Sequence, residues 1–246
     1  MIGSLIARDA RRAFSGAAWL PIAFFLLVAA LVPFAVGPDA RLLSRAGPGV
    51  LWIAALTAAL LPIAFFLLVA ALVPFAVGPD ARLLSRVGPG VLWIAALTAA
   101  LLPIERLVEP DRADGVLDQL FLQGMAEESV AVAKIVAHWL TFAPLLLVAA
   151  IPASALLALD GASLARTEVA LLIGTPGLAA LAVAVAAVTA GVPRAGSLAG
   201  LLLFPLAVPL LIFGAANALL LEAAISLLLT AGAPFVAGAA IRATRT

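Results

Sequence analysis

The chain consists of long runs of apolar residues separated by short polar segments. Because about 20 apolar residues cross the hydrocarbon core of a bilayer as a helix, runs of this length predict membrane spans. Apolar and polar positions do not alternate with a period of two, so the strands of a membrane barrel are not indicated. The pattern predicts an all-α fold, a polytopic membrane helical bundle that forms one membrane domain over residues 1–246. The predicted spans are Leu20–Val36, Val50–Val77, Val91–Leu107, Val130–Leu159, Val169–Ala190, Gly196–Ala216 and Ala223–Ile241.

The composition agrees with a lipid environment. Hydrophobic residues make up 65% of the chain and charged residues 11%, whereas a soluble domain carries about 25% charged residues. Helices satisfy their own backbone hydrogen bonds in hydrocarbon, which favours them as the spanning elements. The net charge of +1 excludes a large basic face for nucleic acid, and the absence of cysteine excludes disulfides and thiolate metal sites.

A block of 41 residues occurs twice in tandem. Leu20–Leu60 returns as Leu61–Leu101 with a single difference, Ala46 against Val87. The repeats of solenoid proteins diverge and keep only their packing positions, so near-identity indicates a recent duplication or an error of sequence assembly. The apolar run Val50–Val77 crosses the boundary between the copies and is long for one crossing but short for two. From its length we predict one long tilted helix here and about seven spans in this chain, against six transmembrane helices in a parental chain with one copy. The alternative is a re-entrant hairpin near Pro62, which the charges downstream favour because it keeps the parental topology.

Basic residues predict the orientation of the six parental spans, because cytoplasmic loops carry an excess of lysine and arginine. With the N-terminus inside, nine basic residues lie in cytoplasmic segments and three in outer loops when one copy is counted. This bias places both termini and the stretch Glu105–Glu128 in the cytoplasm. The cytoplasmic residues are Arg8, Arg11, Arg12, Arg106, Arg112, Lys134, Arg194, Arg242 and Arg245, and the outer ones are Arg41, Arg45 and Arg166.

The stretch Glu105–Glu128 gathers seven of the thirteen acidic residues of the chain. We expect an amphipathic helix that starts at Pro110, has Asp111 as its N-cap and stops at Gly124. An acidic helix gains no attraction to anionic lipid headgroups, so we predict that residues 105–128 form a cytoplasmic coupling segment that docks a protein. The alternative is a solvated loop helix that lies under its own bundle. The apolar face contains Val116, Leu117, Leu120 and Phe121.

Several separated motifs resemble one known family. The sequences "LPIERLVEPDRADGVLDQLFLQGM", "AKIVAHWL" and "VGPDARLLSRAGPGVLWIAAL", with the long segment that begins "LLIGTPGLAALAVAV", are similar to the B subunit of the bacterial cytochrome c maturation system, the CcmB family. The resemblance covers nearly the whole chain, and only the duplicated block Leu61–Leu101 departs from the family pattern. It implies the six-span permease of an ABC transporter in the bacterial inner membrane, described as a haem exporter.

The resemblance also implies which residues meet partners. The segment Glu105–Gln123 would face the ATPase subunit, with coupling positions Glu105, Asp111, Asp114, Gly115, Leu117 and Gln119. The chain has no Gly-x-x-x-x-Gly-Lys-Ser/Thr loop, so ATP hydrolysis must come from a partner and the chain is not expected to be an enzyme. The other implied partners are a haem-handling membrane subunit, a small one-span subunit and a periplasmic haem chaperone. Haem is implied as a handled substrate, and no cofactor or metal of the chain itself is expected.

Four further residues are candidates for contact with haem or with an interface: His138, Trp139, Arg41 and Arg45. For His138, the only histidine, a role as axial haem ligand is weighed against an interfacial position beside Trp139 and Lys134 at the headgroups. We favour the interfacial position, because no second ligand is near in the sequence. Arg41 and Arg45 have i, i+4 spacing and predict a short outer helix between turns of glycine and proline.

Other polar and small residues are given structural roles. Tryptophans near span ends are typical of an interfacial belt. The sequence "GTPG" at Gly174–Gly177 permits a break or close packing of its span. Glu222 lies at a predicted outer turn and is expected to be solvated. The tryptophans are Trp19, Trp52, Trp93 and Trp139.

Three functions are compatible with the sequence. The first is the membrane subunit of an ABC complex for cytochrome c maturation. The second is a non-transporting assembly scaffold, in which ATP drives the release of the haem-loaded chaperone, and the third is an unrelated ABC exporter. A haem conduit needs polar or cationic groups along its path, whereas the predicted spans contain almost no ionisable residue. This favours the scaffold over the conduit.

Overall fold

The structure is a computed structural model that describes residues 48–192 and 195–244, with side chains described for residues 61–192 and 198–244. Every regular element in these ranges is an α-helix, which confirms the predicted all-α class. In chain order the helices are α1 (Pro48–Val77), α2 (Ala81–Leu101), α3 (Ile104–Leu107), α4 (Glu109–Ala113), α5 (Val116–Leu122), α6 (Glu127–Leu156), α7 (Gly161–Thr189), α8 (Ala195–Ala215) and α9 (Leu219–Ala243).

Within the described ranges, α2, α6, α7, α8 and α9 are long and apolar enough to cross a membrane. A shorter apolar stretch, Leu61–Val77, forms the second part of α1. The short helices α3, α4 and α5 connect α2 to α6 and contain most of the acidic stretch. The predicted polytopic membrane bundle is therefore confirmed over the part of the chain that the structure describes.

The connections between the long helices lie at two opposite ends of the bundle. The inner end contains α3–α5, the loop after α7 and the last turn of α9, since the Gly191 N–H bonds to Glu109 at 2.7 Å and Arg242 bonds to Glu128 at 2.6 Å. The outer end contains the turns after α1, α6 and α8. The acidic stretch and the end of α9 thus lie at the same end, as the positive-inside argument requires.

Helix α1 runs without interruption through the boundary between the two copies of the repeat, and this confirms the predicted long helix. Its 30 residues correspond to about 45 Å at 1.5 Å per residue, more than the roughly 30 Å of a hydrocarbon core. The second copy, Leu61–Leu101, supplies the hairpin of α1 and α2 that packs in the bundle. The predicted first span, Leu20–Val36, lies outside the described residues.

The predicted span Val91–Leu107 is wrong at both ends. Helix α2 begins earlier because Asp80 caps it, with its carboxylate accepting a 2.9 Å hydrogen bond from the Arg82 N–H. The helix then continues through Pro89, where we expected a turn, since neighbouring helices make proline tolerable inside a bundle. It ends just before Pro103, so Leu107 belongs to a separate short helix.

Helix α7 lies at the centre of the bundle and packs against α2, α6, α8 and α9. Its "GTPG" motif is not a break: the helix is continuous, and the motif serves close packing instead. The Gly177 N–H donates a 3.1 Å hydrogen bond to Oγ of Ser226 on α9. A Cβ at Gly177 would lie only 2.9 Å from Cα of Ser226, so glycine allows the two helix backbones to approach.

Candidate functional site

The acidic stretch folds into three short helices at the inner end instead of one longer helix. Helix α4 begins at Glu109, so Asp111 lies in its first turn and the predicted N-cap is wrong. Pro110 fits there because the first turn of a helix needs no backbone donor. Gly115 has a φ of +72°, which glycine adopts without strain, and it separates α4 from α5. The predicted stop is confirmed at Gly124, which follows α5 with a φ of +83°.

Glu109 connects α4 to the loop after α7. Its Oε1 accepts a 2.6 Å hydrogen bond from Nη2 of Arg112, and its Oε2 accepts a 2.9 Å bond from Nε of the same residue. Oε2 also accepts a 2.7 Å bond from the backbone N–H of Gly191. Arg112, helped by this N–H group, lowers the pKa of Glu109 to about 2. The carboxylate is therefore ionised at neutral pH and holds two separate segments of the chain together.

Lys134 connects α6 to the same part of the acidic stretch. Its ammonium group donates a 2.8 Å hydrogen bond to the carbonyl oxygen of Leu107, the last residue of α3, and forms an ion pair with Asp111. The Lys134 side chain is 16% exposed, and that of Asp111 is 42% exposed. A lysine that binds the last carbonyl groups of a helix stabilises that end. Asp111, which we predicted to face the ATPase, is used here to anchor the stretch to the bundle.

The last turn of α9 is attached to the first turn of α6. Nη2 of Arg242 donates a 2.6 Å hydrogen bond to Oε1 of Glu128 and lies 3.5 Å from Oε2 of Glu127. Both glutamates lie where the helix dipole favours negative charge. Together with Glu109 and Lys134, this contact joins α4, α6, α9 and the loop after α7 at the inner end.

A second face of the acidic stretch, here called the docking face, points away from the bundle. Leu117 is buried as predicted, at 6% exposure, whereas Leu122 is 83% exposed. Phe121, predicted on the buried side, is 44% exposed. The docking face consists of Asp114, Asp118, Gln119, Phe121 and Leu122, all of which are exposed.

Glu105 lines two neighbouring cavities beside α3. One, of about 400 Å³, lies between α3, α4 and the inner end of α7, and its polar wall includes Glu105, Arg106 and Glu109. The other, of about 330 Å³, opens between α1, α2 and α8 and has mainly apolar walls that include Phe65 and Phe204. Both cavities lie at the inner end, and Glu105 belongs to the wall of each.

His138 is buried inside the bundle and Trp139 is half-buried, and their predicted position at the headgroup level stays a prediction. His138 is 4% exposed, and its ring centre lies 4.8 Å from that of Phe142. It follows the start of α6 by eleven residues, about 16 Å along the helix axis. Trp139 donates a 3.1 Å hydrogen bond from Nε1 to Oγ1 of Thr175 on α7. Within residues 61–192 and 198–244 no group of three His, Cys, Asp or Glu side chains is placed to hold a metal ion.

Trp93 and Glu222 meet in the outer half of the bundle, and the predictions for both are wrong. Trp93 was expected in an interfacial belt and Glu222 in solvent, yet both are fully buried. Gly174 lies between them, since a Cβ there would be 2.3 Å from Cη2 of Trp93 and 2.6 Å from Oε1 of Glu222. Neither the indole N–H nor the carboxyl oxygens have a hydrogen-bond partner among the described residues. A buried ionisable group inside a membrane bundle marks a position of interest for function.

Arg41 and Arg45 lie outside the described residues, so their predicted outer helix stays a prediction. Their counterparts in the second copy, Arg82 and Arg86, lie exposed in the first two turns of α2. That part of the second copy is helical, but it is the beginning of a long helix and not a separate short one.

The contacts that attach the acidic stretch to the bundle were not predicted from the sequence. Glu109 and Arg112 have the i, i+3 spacing of a helical ion pair, and this signal was available. No local signal relates Glu109 to Gly191 or Asp111 to Lys134, because these pairs are 82 and 23 residues apart.

Comparison with known proteins places the chain in a family. The family model described as "CcmB protein" matches residues 1–64 and 59–244, and the two matches overlap at the boundary between the copies of the repeat. The chain is 42% identical to Heme exporter protein B of Paracoccus denitrificans and 41% identical to that of Rhodobacter capsulatus, with 97% of both chains covered in each case. It is 45% identical to Heme exporter protein B of Haemophilus influenzae over 83% of this chain and 72% of that protein. With matches that reach from one end of the sequence almost to the other, the chain belongs to the CcmB protein family.

Proposed function

We propose that this chain is the membrane permease subunit of an ABC transporter complex that serves cytochrome c maturation. The observation that carries the proposal is the match to the CcmB family and to relatives named Heme exporter protein B over nearly the whole chain. The chain acts as a transporter subunit and not as an enzyme. ATP hydrolysis is supplied by a separate ATPase subunit in the cytoplasm.

The ATPase docks on the docking face of the acidic stretch. This face combines two exposed apolar side chains, Phe121 and Leu122, with exposed acidic and amide groups. Protein interfaces commonly have an apolar centre with a polar rim. Acidic groups at the rim direct the approach of a partner surface that is basic.

The six coupling positions predicted from the sequence differ in their exposure and contacts, and therefore in their roles in this proposal. Asp114 and Gln119 belong to the docking face, whereas Leu117 is buried and Asp111 is paired with Lys134. The other two have different roles: Gly115 forms the break between α4 and α5, and Glu105 lines the two inner cavities.

The complex lies in the bacterial inner membrane, and the inner end of the bundle faces the cytoplasm. The basic residues of the inner end support this orientation, because loops rich in lysine and arginine stay inside. Both termini are cytoplasmic in the parental topology. Haem is the handled substrate, and the remaining partners are a haem-handling membrane subunit, a small one-span subunit and a periplasmic haem chaperone. Among the described basic residues, Arg106, Arg112, Lys134 and Arg242 lie at the inner end.

The docking face is tested by replacing Asp114 and Asp118 with lysine in the complete chain. Both residues are exposed, so the variant should accumulate in the membrane at the wild-type level. Reversal of the two charges should weaken co-purification of the ATPase subunit several-fold, because rim charges direct association. The measurement is the ratio of ATPase to permease after affinity purification in mild detergent.

A control variant changes the charge by the same amount, with the opposite sign, at the opposite end. Arg82 and Arg86 are exposed at the outer end of α2, and replacing both with glutamate should leave ATPase binding unchanged. If the ATPase binds the variant with lysine at 114 and 118 as well as it binds wild type, the acidic stretch is not the docking site.

A second function, the release of the haem-loaded chaperone without transport, is supported by the packing of the outer half. Trp93 fills the space between Gly174 and Gly214, and a Cβ at either glycine would lie less than 2.5 Å from the indole. Such packing leaves no room for a macrocycle between α2, α7 and α8. ATP-dependent movement of haem into proteoliposomes that contain the whole complex would overturn the release function, whereas ATP-dependent release of the chaperone without haem movement would establish it.

A further inference from the structure

We infer that Glu109 and Lys134 are positioning residues that pass movement of the docking face to the helices of the bundle. The inference rests on the function proposed above, because it requires an ATPase on the docking face. Neither residue belongs to that face, and each connects the acidic stretch to a different long helix.

The two residues hold α4 from two sides. Glu109 on α4 accepts the Gly191 N–H from the loop after α7, and Lys134 on α6 binds Asp111 on α4 and the Leu107 carbonyl in front of it. These hydrogen bonds involve ionised groups, which makes them shorter and stronger than neutral ones. Helix α4 is therefore a fixed piece between α6 and the end of α7.

Helix α5 carries most of the docking face and is joined to α4 through Gly115. A Cβ at this glycine would meet no atom within 4 Å, so the connection has free space around it. Helices of five and seven residues do not keep their geometry alone, because a helix of this length is not stable in isolation. Helix α5 also contacts the bundle through the buried Leu117, so Glu109 and Lys134 supply the polar part of the attachment and fix α4 in place.

The helix that receives the displacement is the central one. Helix α7 packs against four other long helices, and its Gly177 bonds directly to Ser226 on α9. Packed interiors respond to a shift at one end by moving between discrete arrangements, since close packing does not deform continuously. A pull on Gly191 at the inner end of α7 is thus communicated to α2, α6, α8 and α9.

The exposure of Glu109 separates its role from a purely stabilising one. The side chains of Glu109 and Arg112 are 37% and 34% exposed. Ion pairs with this degree of exposure contribute little to stability, because solvent screens them. Loss of the Glu109 contacts should therefore leave the fold intact and affect mainly the transfer of movement.

The test uses the full-length chain, expressed with the other subunits of its complex. Glu109→Gln and Lys134→Met keep the approximate size of each side chain and remove its charge. We expect normal membrane abundance and normal ATPase co-purification. The yield of c-type cytochromes should fall by about 5-fold or more, the lower end of typical allosteric coupling between two sites. The rate of ATP hydrolysis by the purified complex should approach the rate of the ATPase subunit alone, because the permease no longer affects it.

Two further variants make the result interpretable. Lys134→Arg keeps the charge and the donors and should restore cytochrome yield, and Arg82→Gln at the outer end should have no effect. If Lys134→Met fails to accumulate, Glu109→Gln, whose carboxyl group is partly exposed, decides the question.

Three outcomes would overturn the inference. Normal cytochrome yield in both charge-removing variants shows that the contacts transmit nothing. A loss of ATPase binding in parallel with the loss of yield shows that they only keep the docking face in shape. If the wild-type chain itself binds no ATPase, the proposed function fails, and this inference fails with it for that separate reason.

Discussion

The indole ring of Trp93 on α2 occupies a slot whose walls are Gly174 on α7 and Gly214 on α8. A Cβ at Gly174 would lie 2.3 Å from Cη2 of the ring, and a Cβ at Gly214 would lie 2.2 Å from Cε2. Glycine is unfavourable inside a helix, so its presence at both positions reflects a steric requirement. The slot fixes the position of α2 relative to α7 and α8 in the outer half of the bundle.

Gly174→Ala should destabilise the protein. The added methyl group would overlap both the Trp93 ring and Oε1 of Glu222, and overpacking of this kind costs about 1–3 kcal/mol. The thermal midpoint of the purified protein should fall relative to wild type. Gly200→Ala on α8 is the matched control, since a Cβ there meets no atom within 4 Å and should leave the midpoint unchanged or slightly higher.

A smaller ring should relieve the overlap. Combining Gly174→Ala with Trp93→Phe should recover part of the lost stability, because phenylalanine does not reach the position of Cη2. An unchanged midpoint in the single variant Gly174→Ala would show that the slot is wider than the structure indicates.

The helical frame of the fold was predictable because lipid imposes a strong rule. A segment that crosses hydrocarbon needs a long apolar run, and such runs are visible without any knowledge of packing. The ends of the helices were less predictable, since helices continue beyond the apolar run where a cap allows it. Asp80 extends α2 toward the outer end, and Asp160 caps α7 by accepting a 2.8 Å bond from the Ser163 N–H.

The candidate site was predictable only in part. The concentration of acidic residues and the stop at Gly124 were local signals, whereas the break at Gly115 depended on a glycine that sequence reasoning treated as a partner contact. The burial of Glu222 and His138 could not be derived, because no local pattern shows which neighbouring helices cover a side chain. A bundle with mostly apolar helices on all sides gives little information about which face is internal.

Glu222→Met should leave the stability of the purified protein unchanged or raise it. The carboxyl oxygens of Glu222 are buried and have no hydrogen-bond partner in the described part of the chain. Leaving such a group unsatisfied costs about 1–3 kcal/mol, and methionine of similar length removes that cost. Thermal unfolding in detergent measures the change. A clear fall of the midpoint would reveal a partner for the carboxyl group, and loss of cytochrome maturation at raised stability would assign Glu222 to function.

Two substitutions of His138 distinguish a packing role from a role as haem ligand. His138→Ala should lower abundance, because it leaves a cavity beside Phe142 in a buried position. His138→Leu fills most of that space and should preserve both abundance and most of the yield of c-type cytochromes. If both variants accumulate normally and neither supports maturation, the imidazole takes part in haem handling.

Acid should remove the contribution of Glu109 to stability. Its pKa of about 2 in the folded protein lies below the roughly 4.3 of an unfolded glutamate. A lowered pKa contributes stability above the unfolded value, and this contribution is lost as the pH falls toward the folded value. Because solvent screens the ion pair, the midpoint difference between wild type and Glu109→Gln should be small. It should be constant near neutral pH and shrink between about pH 4 and pH 2. A difference that stays the same down to pH 2 would contradict the ion pair with Arg112.

Deleting either copy of the repeat should raise the membrane abundance of the protein. The deletions of residues 20–60 and 61–101 leave chains that differ at one position only, where one has Val87 and the other Ala46. Each removes the excess length of α1, whose 30 residues exceed the hydrocarbon core by about 15 Å. Quantitative immunoblotting of membranes compares the two deletions with the full chain. Lower abundance in both deletions would show that the duplicated block stabilises the protein.

The topology of the full chain should show which segment cannot take its expected orientation because of the duplication. In the structure Leu61–Val77 and the five long helices that follow form the bundle, and the start of α1 lies toward the inner end. A further crossing by Leu20–Val36 would then carry the N-terminal arginines to the outer side, against the positive-inside rule. The conflict thus lies before α1 and not in the helices after it.

A cysteine that replaces Asp114 in this cysteine-free chain should be labelled from the cytoplasmic side only, in the full chain and in both deletions. A cysteine that replaces Ser4 should also be labelled from the cytoplasm in the deletions, because a single span then precedes the outer loop. In the full chain we expect the same result, since the arginines hold the N-terminus inside and Leu20–Val36 fails to cross. Labelling of position 114 from the periplasm would show that the apolar length of α1, and not the charge of the loops, decides the orientation.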